Sequence, residues 1–413
     1  MNSEIILYLL LGILSFDFFM EFILDYLNLN YQKDSLPVEL NEVYNDEQFK
    51  KSQEYLKVNT KFGFLTSSFS FLVTLSVLFF GGLGWLDIFI KLTFNNAMIQ
   101  SLVFFAVLFL VSDFINIPFA IYKAFVIEEK FGFNKITPKL FIMDKIKGYL
   151  MALVLGGLLL SVLLWLIQFI GQNFWIWFWL VIAGFILLIN LFYTSVILPL
   201  FNKLVPLGEG DLRAAIEKYS STVNFPLTNI FVMDGSKRSS KSNAFFSGIG
   251  KKKKIVLFDT LIDNHSKEEL VAVLAHEAGH YKKNHIMQGL IVSVLQTGLI
   301  LFVLSLFIFN RELSFALGGG ESAIHLNLIA FFMLFSPISH FTGILSNIWS
   351  RKNEYEADRY AAETYNAKAL SDALKKLSAD NLSNLTPHPA VVFVHYSHPP
   401  LLDRLRALGN GID

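Results

Sequence analysis

Two histidines four residues apart, with a glutamate beside the first, stand in His276-Glu277-Ala278-Gly279-His280. Four residues make just over one α-helical turn, so both imidazoles leave one face and can share one ion at about 2.0–2.1 Å each. Zinc lowers the pKa of a water it binds from about 15.7 to about 7, and Glu277 can take that water's proton as it attacks a peptide carbonyl. The chemistry predicted is metal-assisted amide hydrolysis with one Zn2+. A helix is expected here, because Ser266-Lys267-Glu268-Glu269 has the spacing of a capping box and the apolar run Leu270 to Ala275 follows it.

A second helix pattern opens the next large polar segment, Asn353-Glu354-Tyr355-Glu356-Ala357-Asp358. Glu354 and Asp358 are four apart and face the same way. A His-His-Glu set leaves zinc's fourth position open for water, and Asp358 can orient a ligand histidine by accepting its other ring N–H. Glu356 points away and is expected to be a solvated charge. Of the remaining histidines, His285 is expected at a helix end near the membrane interface and His340 facing the interior. His265, His325, His388 and His395 are expected to have no metal role.

The elements that carry these residues belong to a membrane protein. The chain has 413 residues, of which 54% are hydrophobic and only 16% charged, with 42 phenylalanines and a mean hydropathy of +0.49. That is more apolar surface than one or two soluble cores could hide. There is no cysteine, so disulfides, thiolate zinc fingers and cysteine nucleophiles are excluded. Lys plus Arg and Asp plus Glu balance at 34 each, which gives the chain no overall attraction for nucleic acid.

About 20 apolar residues cross a bilayer's hydrocarbon, and seven such runs are expected. They are 5–24, 62–86, 97–122, two within the uncharged stretch 148–202 that bends at Gly171-Gln172-Asn173, then 286–310 and 322–350. The first and third loops are rich in lysine (Lys33, Lys50, Lys51, Lys57 and Lys61; Lys123, Lys130, Lys135, Lys139, Lys145 and Lys147). The loops between them hold only Lys91, nothing, and Arg311. Basic residues stay preferentially cytoplasmic, so an outside N-terminus and a cytoplasmic C-terminus satisfy every loop. Two polar segments, 203–283 and 351–413, then lie in the cytoplasm, flanked by membrane regions 1–202 (spans one to five) and 284–350 (spans six and seven). With no basic region before it, the first span is expected to be a retained helix.

The chain resembles the type I CAAX prenyl protease family of integral-membrane zinc metalloproteases almost end to end. The resemblance rests on the seven spans, Ile127-Glu-Glu-Lys-Phe-Gly-Phe-Asn134, Ser239-Ser-Lys-Ser-Asn243-Ala-Phe-Phe, His276-Glu-Ala-Gly-His280, Glu354-Tyr-Glu-Ala-Asp358 and His398-Pro-Pro-Leu-Leu-Asp-Arg404. It implies Glu354 as third zinc ligand, Asn243 holding substrate backbone near an edge strand, and His398 and Arg404 at the active site, steadying the oxyanion or the substrate's end. It implies seven transmembrane helices in an all-α multi-pass membrane protein, around a large water-filled chamber. A small α+β zinc-metalloprotease domain, built from the two cytoplasmic segments, would sit at the chamber's rim. The implied reaction removes the last three residues of a prenylated C-terminal tail. Lys241 stands where the family commonly has histidine. The partners expected are a peptide or protein substrate and the lipid bilayer, in the plasma (inner) membrane of a bacterium or the endoplasmic reticulum of a eukaryote. Two alternatives remain open at this stage: a quality-control metalloprotease with no prenyl requirement, and a transporter or channel with a regulatory metal site.

Asp17, Glu21 and Asp25 recur every four residues on the first span. A carboxylate facing lipid at the bilayer centre costs about 2.5–3.5 kcal/mol on insertion scales, so this stripe should face inward. A wet chamber and a packed, hydrogen-bonded bundle both satisfy it. Lys251–Lys254 is expected at a solvated hairpin end, with anionic lipid or a substrate carboxylate as other uses.

Overall fold

The computed structural model describes residues 2–33, 35–40, 45–248 and 253–409; Lys251 and Lys252 of the lysine run lie outside them. Mostly helical, the chain begins with α1 (Ser3–Asn30), α2 (Asp46–Phe79), α3 (Gly82–Thr93), α4 (Ala97–Tyr122), α5 (Pro138–Met151), α6 (Gly157–Ile170), α7 (Phe174–Phe192) and α8 (Leu198–Phe201). A mixed segment follows: β1 (Leu204–Pro206), α9 (Asp211–Thr222), β2 (Leu227–Met233), β3 (Ala244–Ser247), β4 (Lys253–Phe258), α10 (Asp259–Asn264) and α11 (Lys267–Lys282). The chain closes with α12 (His285–Phe307), α13 (Arg311–Ala316), α14 (Ile324–Ala361), α15 (Ala367–Asp380), α16 (Pro389–His395) and α17 (Leu401–Gly409).

Among the described residues, six continuous helical stretches are long and apolar enough to cross a membrane: 3–30, 46–79, 97–128, 138–201, 285–307 and 324–380. The fourth has 64 residues, about 96 Å if straight, and it is not straight. Gly171 takes φ +67°, a left-handed value open to glycine, and α6 and α7 pack against each other across the break. The bend expected at 171–173 is therefore present. The second helix differs from expectation: it ends at Phe79, not near Leu86. Gly81, at φ +67°, turns the chain and α3 starts afresh at Gly82. There Gly84 packs so closely on Gly318 that a Cβ would lie 2.0 Å from its carbonyl oxygen, so only glycine fits.

Two carboxylates of the acidic stripe, Asp17 and Glu21, meet protein partners, while Asp25 is exposed. Ser336 of α14 donates to Asp17 at 2.5 Å, His340 lies 3.3 Å from Asp17, and His395 of α16 lies 3.0 Å from Glu21. Beside it, between α1, α4, α6 and α14, lies a cavity of about 1350 Å³, lined by apolar side chains such as Phe105 and Met333, with Asp17, Tyr149, Ser161 and Ser336 contributing polar groups.

Outside the long helices, the four strands form one sheet in the order β1-β2-β4-β3, with β2 and β4 parallel and the other pairs antiparallel. Among the described residues β3 pairs only with β4, which leaves its other edge unpaired. One hydrophobic core joins both polar segments of the sequence: Ile216, Ile230, Leu257 and Leu274 come from the first, Leu370 and Leu408 from the second. The packing of α11 against α14 is central to it and sets the site.

Candidate active site

α11 starts as its sequence requires. The Ser266 side chain accepts the Glu269 N–H at 3.2 Å, and the Glu269 carboxylate accepts the Ser266 N–H at 2.8 Å, a reciprocal capping box. Ten residues later the helix presents His276, and one turn further His280. α14, with 38 residues and about 57 Å long, continues past its apolar stretch to carry Glu354 and Asp358 against them. Gly279 makes the approach possible: a Cβ there would lie 2.9 Å from Ala357 Cα and 3.0 Å from its carbonyl oxygen.

The donor groups of three residues meet between the two helices. Nε2 of His276 and Nε2 of His280 are 3.1 Å apart, and Glu354 carboxylate oxygens lie 3.2 Å from His280 Nε2 and 3.5 Å from His276 Nε2. Donors each about 2.0–2.1 Å from a tetrahedral ion stand about 3.3 Å from one another, so these separations suit three corners around one cation. Glu354 Oε2 is buried with no hydrogen-bond partner, an arrangement proteins rarely leave without a further ligand. The electrostatics favour positive charge too. Burial by itself would push the His276 imidazole down; the hydrogen bond that the Asp358 carboxylate accepts from it and the nearby Glu354 carboxylate outweigh that and hold the ring up at about 9. The residues present thus fit a divalent metal.

A second layer fixes these donors. Asp358 Oδ1 lies 2.8 Å from His276 Nδ1, and Arg404 on α17 clamps Asp358 with Nε at 2.7 Å and Nη2 at 2.6 Å. Nη1 of Arg404, outside that clamp, is 3.6 Å from Glu354 Oε2. His398 joins from the segment before α17, its Nε2 3.3 Å from Glu354 Oε1 while its side chain stays 65% exposed. It is the group of this cluster most open to an arriving substrate. Glu277 is half-buried yet densely surrounded, and that burial pushes its carboxyl above the usual carboxylate range, against the pull of His276 and His280. A carboxylate with raised basicity beside the donor triangle can accept a proton.

Asn243 stands apart from the triangle at the head of the edge strand β3. Its Oδ1 accepts the Ala244 N–H at 2.8 Å, and its carbonyl accepts the Phe258 N–H at 3.1 Å. The segment leading to it is held by the third loop. Gly132 and Asn134 set a turn as expected, with Gly132 at φ +84°. The same loop then bonds across: Lys135 N–H donates to Arg238 carbonyl and Ser240 N–H to Phe133 carbonyl. Lys241 donates to Tyr55 Oη at 2.8 Å and sits 4.4 Å over the Phe133 ring.

Two residues of the cluster are not those the sequence reading expected. His285, expected merely to end a helix, lies with Nδ1 3.0 Å from His280 Nδ1, and its Nε2 is 3.2 Å from Glu356. Glu356, expected to be a solvated charge, points to that histidine. The cause lies in the backbone: after Lys282 the helix breaks, and Asn284 at φ +59° starts α12 beside the end of α11.

Comparison with known proteins gives the family of the chain. The family model described as "CAAX prenyl protease N-terminal, five membrane helices" matches residues 25–203, and that for peptidase family M48 matches 206–411. The chain is 37% identical over 382 residues to a rice protein named CAAX prenyl protease 1 homolog, covering 91% of this chain and 90% of that one. It is 35% identical over 408 residues to CAAX prenyl protease 1 of Saccharomyces cerevisiae, covering 92% and 90%. The crystal structure of S. mikatae Ste24p superposes with a TM-score of 0.92 at 33% identity, covering 98% of this chain and 99% of that chain. The chain belongs to peptidase family M48, in the CAAX prenyl protease group of membrane metallopeptidases.

Proposed function

We propose that this protein is a zinc endopeptidase of the membrane that cuts near the C-terminus of prenylated CAAX-type substrates. The observation that carries the reading is the convergence of His276, His280 and Glu354 from two helices, with Glu277 beside them. His276, His280 and Glu354 hold one Zn2+, and Asp358 orients His276. When bound, zinc supplies a Lewis acid and acidifies water to a pKa of about 7. Glu277 takes the proton of the attacking water and delivers it to the leaving amine. His398, on the exposed side, donates toward the carbonyl oxygen as charge builds there. Arg404 holds Asp358 in place, and Nη1 reaches toward the substrate's end. Asn243, at the head of an open strand edge, holds substrate backbone laid beside β3.

The chain crosses the bilayer seven times, counting α6 and α7 as separate spans, with its N-terminus outside and its C-terminus in the cytoplasm. Lysine placement in the loops supports that orientation. Segments 203–283 and 351–413 form one cytoplasmic protease domain, a division supported by their shared core; 1–202 and 284–350 form the membrane region. The host membrane is the endoplasmic reticulum in a eukaryote and the inner membrane in a bacterium.

Mass spectrometry of products tests the reading. Purified, zinc-loaded protein is given one peptide with and without a farnesylated cysteine, with Glu277→Gln as the blank. Release of the last three residues from the farnesylated form alone is expected. Equal cutting of both forms would move the role to general membrane-protein turnover, and equal cutting by Glu277→Gln would end the hydrolase reading.

A further inference from the structure

His276 has its outer nitrogen held by Asp358; His280 has an outer nitrogen too, and its partner is His285. The left-handed Asn284 lets α12 begin there, and His285 is buried, with 6% of its surface exposed. Nδ1 faces Nδ1 across 3.0 Å, and on the far side of the ring Nε2 lies 3.2 Å from Glu356 Oε2.

Proton placement along this chain of contacts has one solution. To bind a cation, His280 Nε2 must present its lone pair, so the ring proton sits on Nδ1. That N–H can donate only if His285 Nδ1 is bare, which places the His285 proton on Nε2, where the Glu356 carboxylate accepts it. Each ring tautomer is thereby fixed from a carboxylate end, as His276 is fixed by Asp358 directly. We propose that His285 and Glu356 are positioning residues that lock the tautomer and ring orientation of His280 for metal binding. This rests on the reading of His276, His280 and Glu354 as the metal's ligands.

The route explains a difference between the two histidines. His276 leans on a carboxylate that Arg404 clamps in the interior. His280 leans on an imidazole whose own anchor, Glu356, is 39% exposed at the side chain and, among the described residues, has only Lys352 at 3.9 Å as an ion-pair partner beyond His285. Its support is longer and depends on every link.

The experiment measures zinc affinity of the purified full-length protein by competition with a chromophoric chelator, together with the unfolding midpoint of each metal-free variant. His285→Ala is expected to weaken zinc binding about 10–100-fold. His285→Asn, which puts an acceptor oxygen where Nδ1 stands, should recover most of that loss. Glu356→Ala should weaken binding in the parent and add nothing in the His285→Ala background. Unchanged affinity in His285→Ala, or no recovery in His285→Asn at an unfolding midpoint equal to the parent's, would overturn the proposal. His276→Ala separates the layers: if it too keeps full affinity, the ligand reading itself fails, whereas loss there with no effect at His285 sinks only the positioning role.

Discussion

Nδ1 of His276 and Oδ1 of Asp358 lie 2.8 Å apart although 82 positions separate them in the chain. The contact ties α11 to α14 at the level of the donor triangle. Arg404, on a third helix, completes it with two hydrogen bonds to the same carboxylate.

The ligand assignment predicts that His276→Ala and Glu354→Ala each abolish stoichiometric zinc in the purified protein. Elemental analysis after desalting checks this. Normal occupancy in either variant would remove that residue from the set.

Glu277→Gln should keep its zinc and lose turnover by about 10²- to 10⁴-fold, the range a general base contributes. Glutamine fits the same space but accepts no proton. Zinc content and single-turnover cleavage, measured on one preparation, separate this from a folding defect.

Gly279→Ala is expected to lower both stability and zinc affinity. The added Cβ would meet Ala357 backbone at 2.9 to 3.0 Å, and the helices must part. Overpacking of this kind costs about 1–3 kcal/mol. Thermal unfolding with and without zinc reports it, and a variant with parental values for both would show that the helix crossing has slack.

Arg404→Ala leaves Asp358 buried without its cation, and breaking a buried pair in this way costs about 3–5 kcal/mol. Arg404→Lys should recover only part, because an ammonium cannot repeat the two-pronged contact. Chemical unfolding of the three proteins gives the order arginine, lysine, alanine if the clamp matters.

Chelator treatment should abolish cleavage and added Zn2+ restore it, while the fold persists. The large core that joins the two polar segments does not depend on the ion. Retained helical circular dichroism with lost activity is the expected pairing.

Much of this protein was legible from local pattern. Apolar runs named the membrane helices because hydropathy is a property of consecutive residues, and glycine at 171 marked the bend because a left-handed turn needs it. The i, i+4 histidines and the i, i+4 pair Glu354 and Asp358 each follow from the helical repeat within one element. Capping of α11 by Ser266 and Glu269 is likewise a three-residue matter.

What the sequence could not determine is which faces meet. That Arg404 closes on Asp358, that the third loop pins Lys241, and that Asp17 turns to Ser336 are contacts between elements far apart in the chain. The clearest case is Glu356. Helical periodicity correctly turns it away from Glu354, and from one helix alone that direction leads to solvent. Only the tertiary structure, by starting α12 on that side, fills the space with His285 and makes an ordinary surface carboxylate part of the site. Periodicity sets the direction of a side chain; packing decides what it finds there.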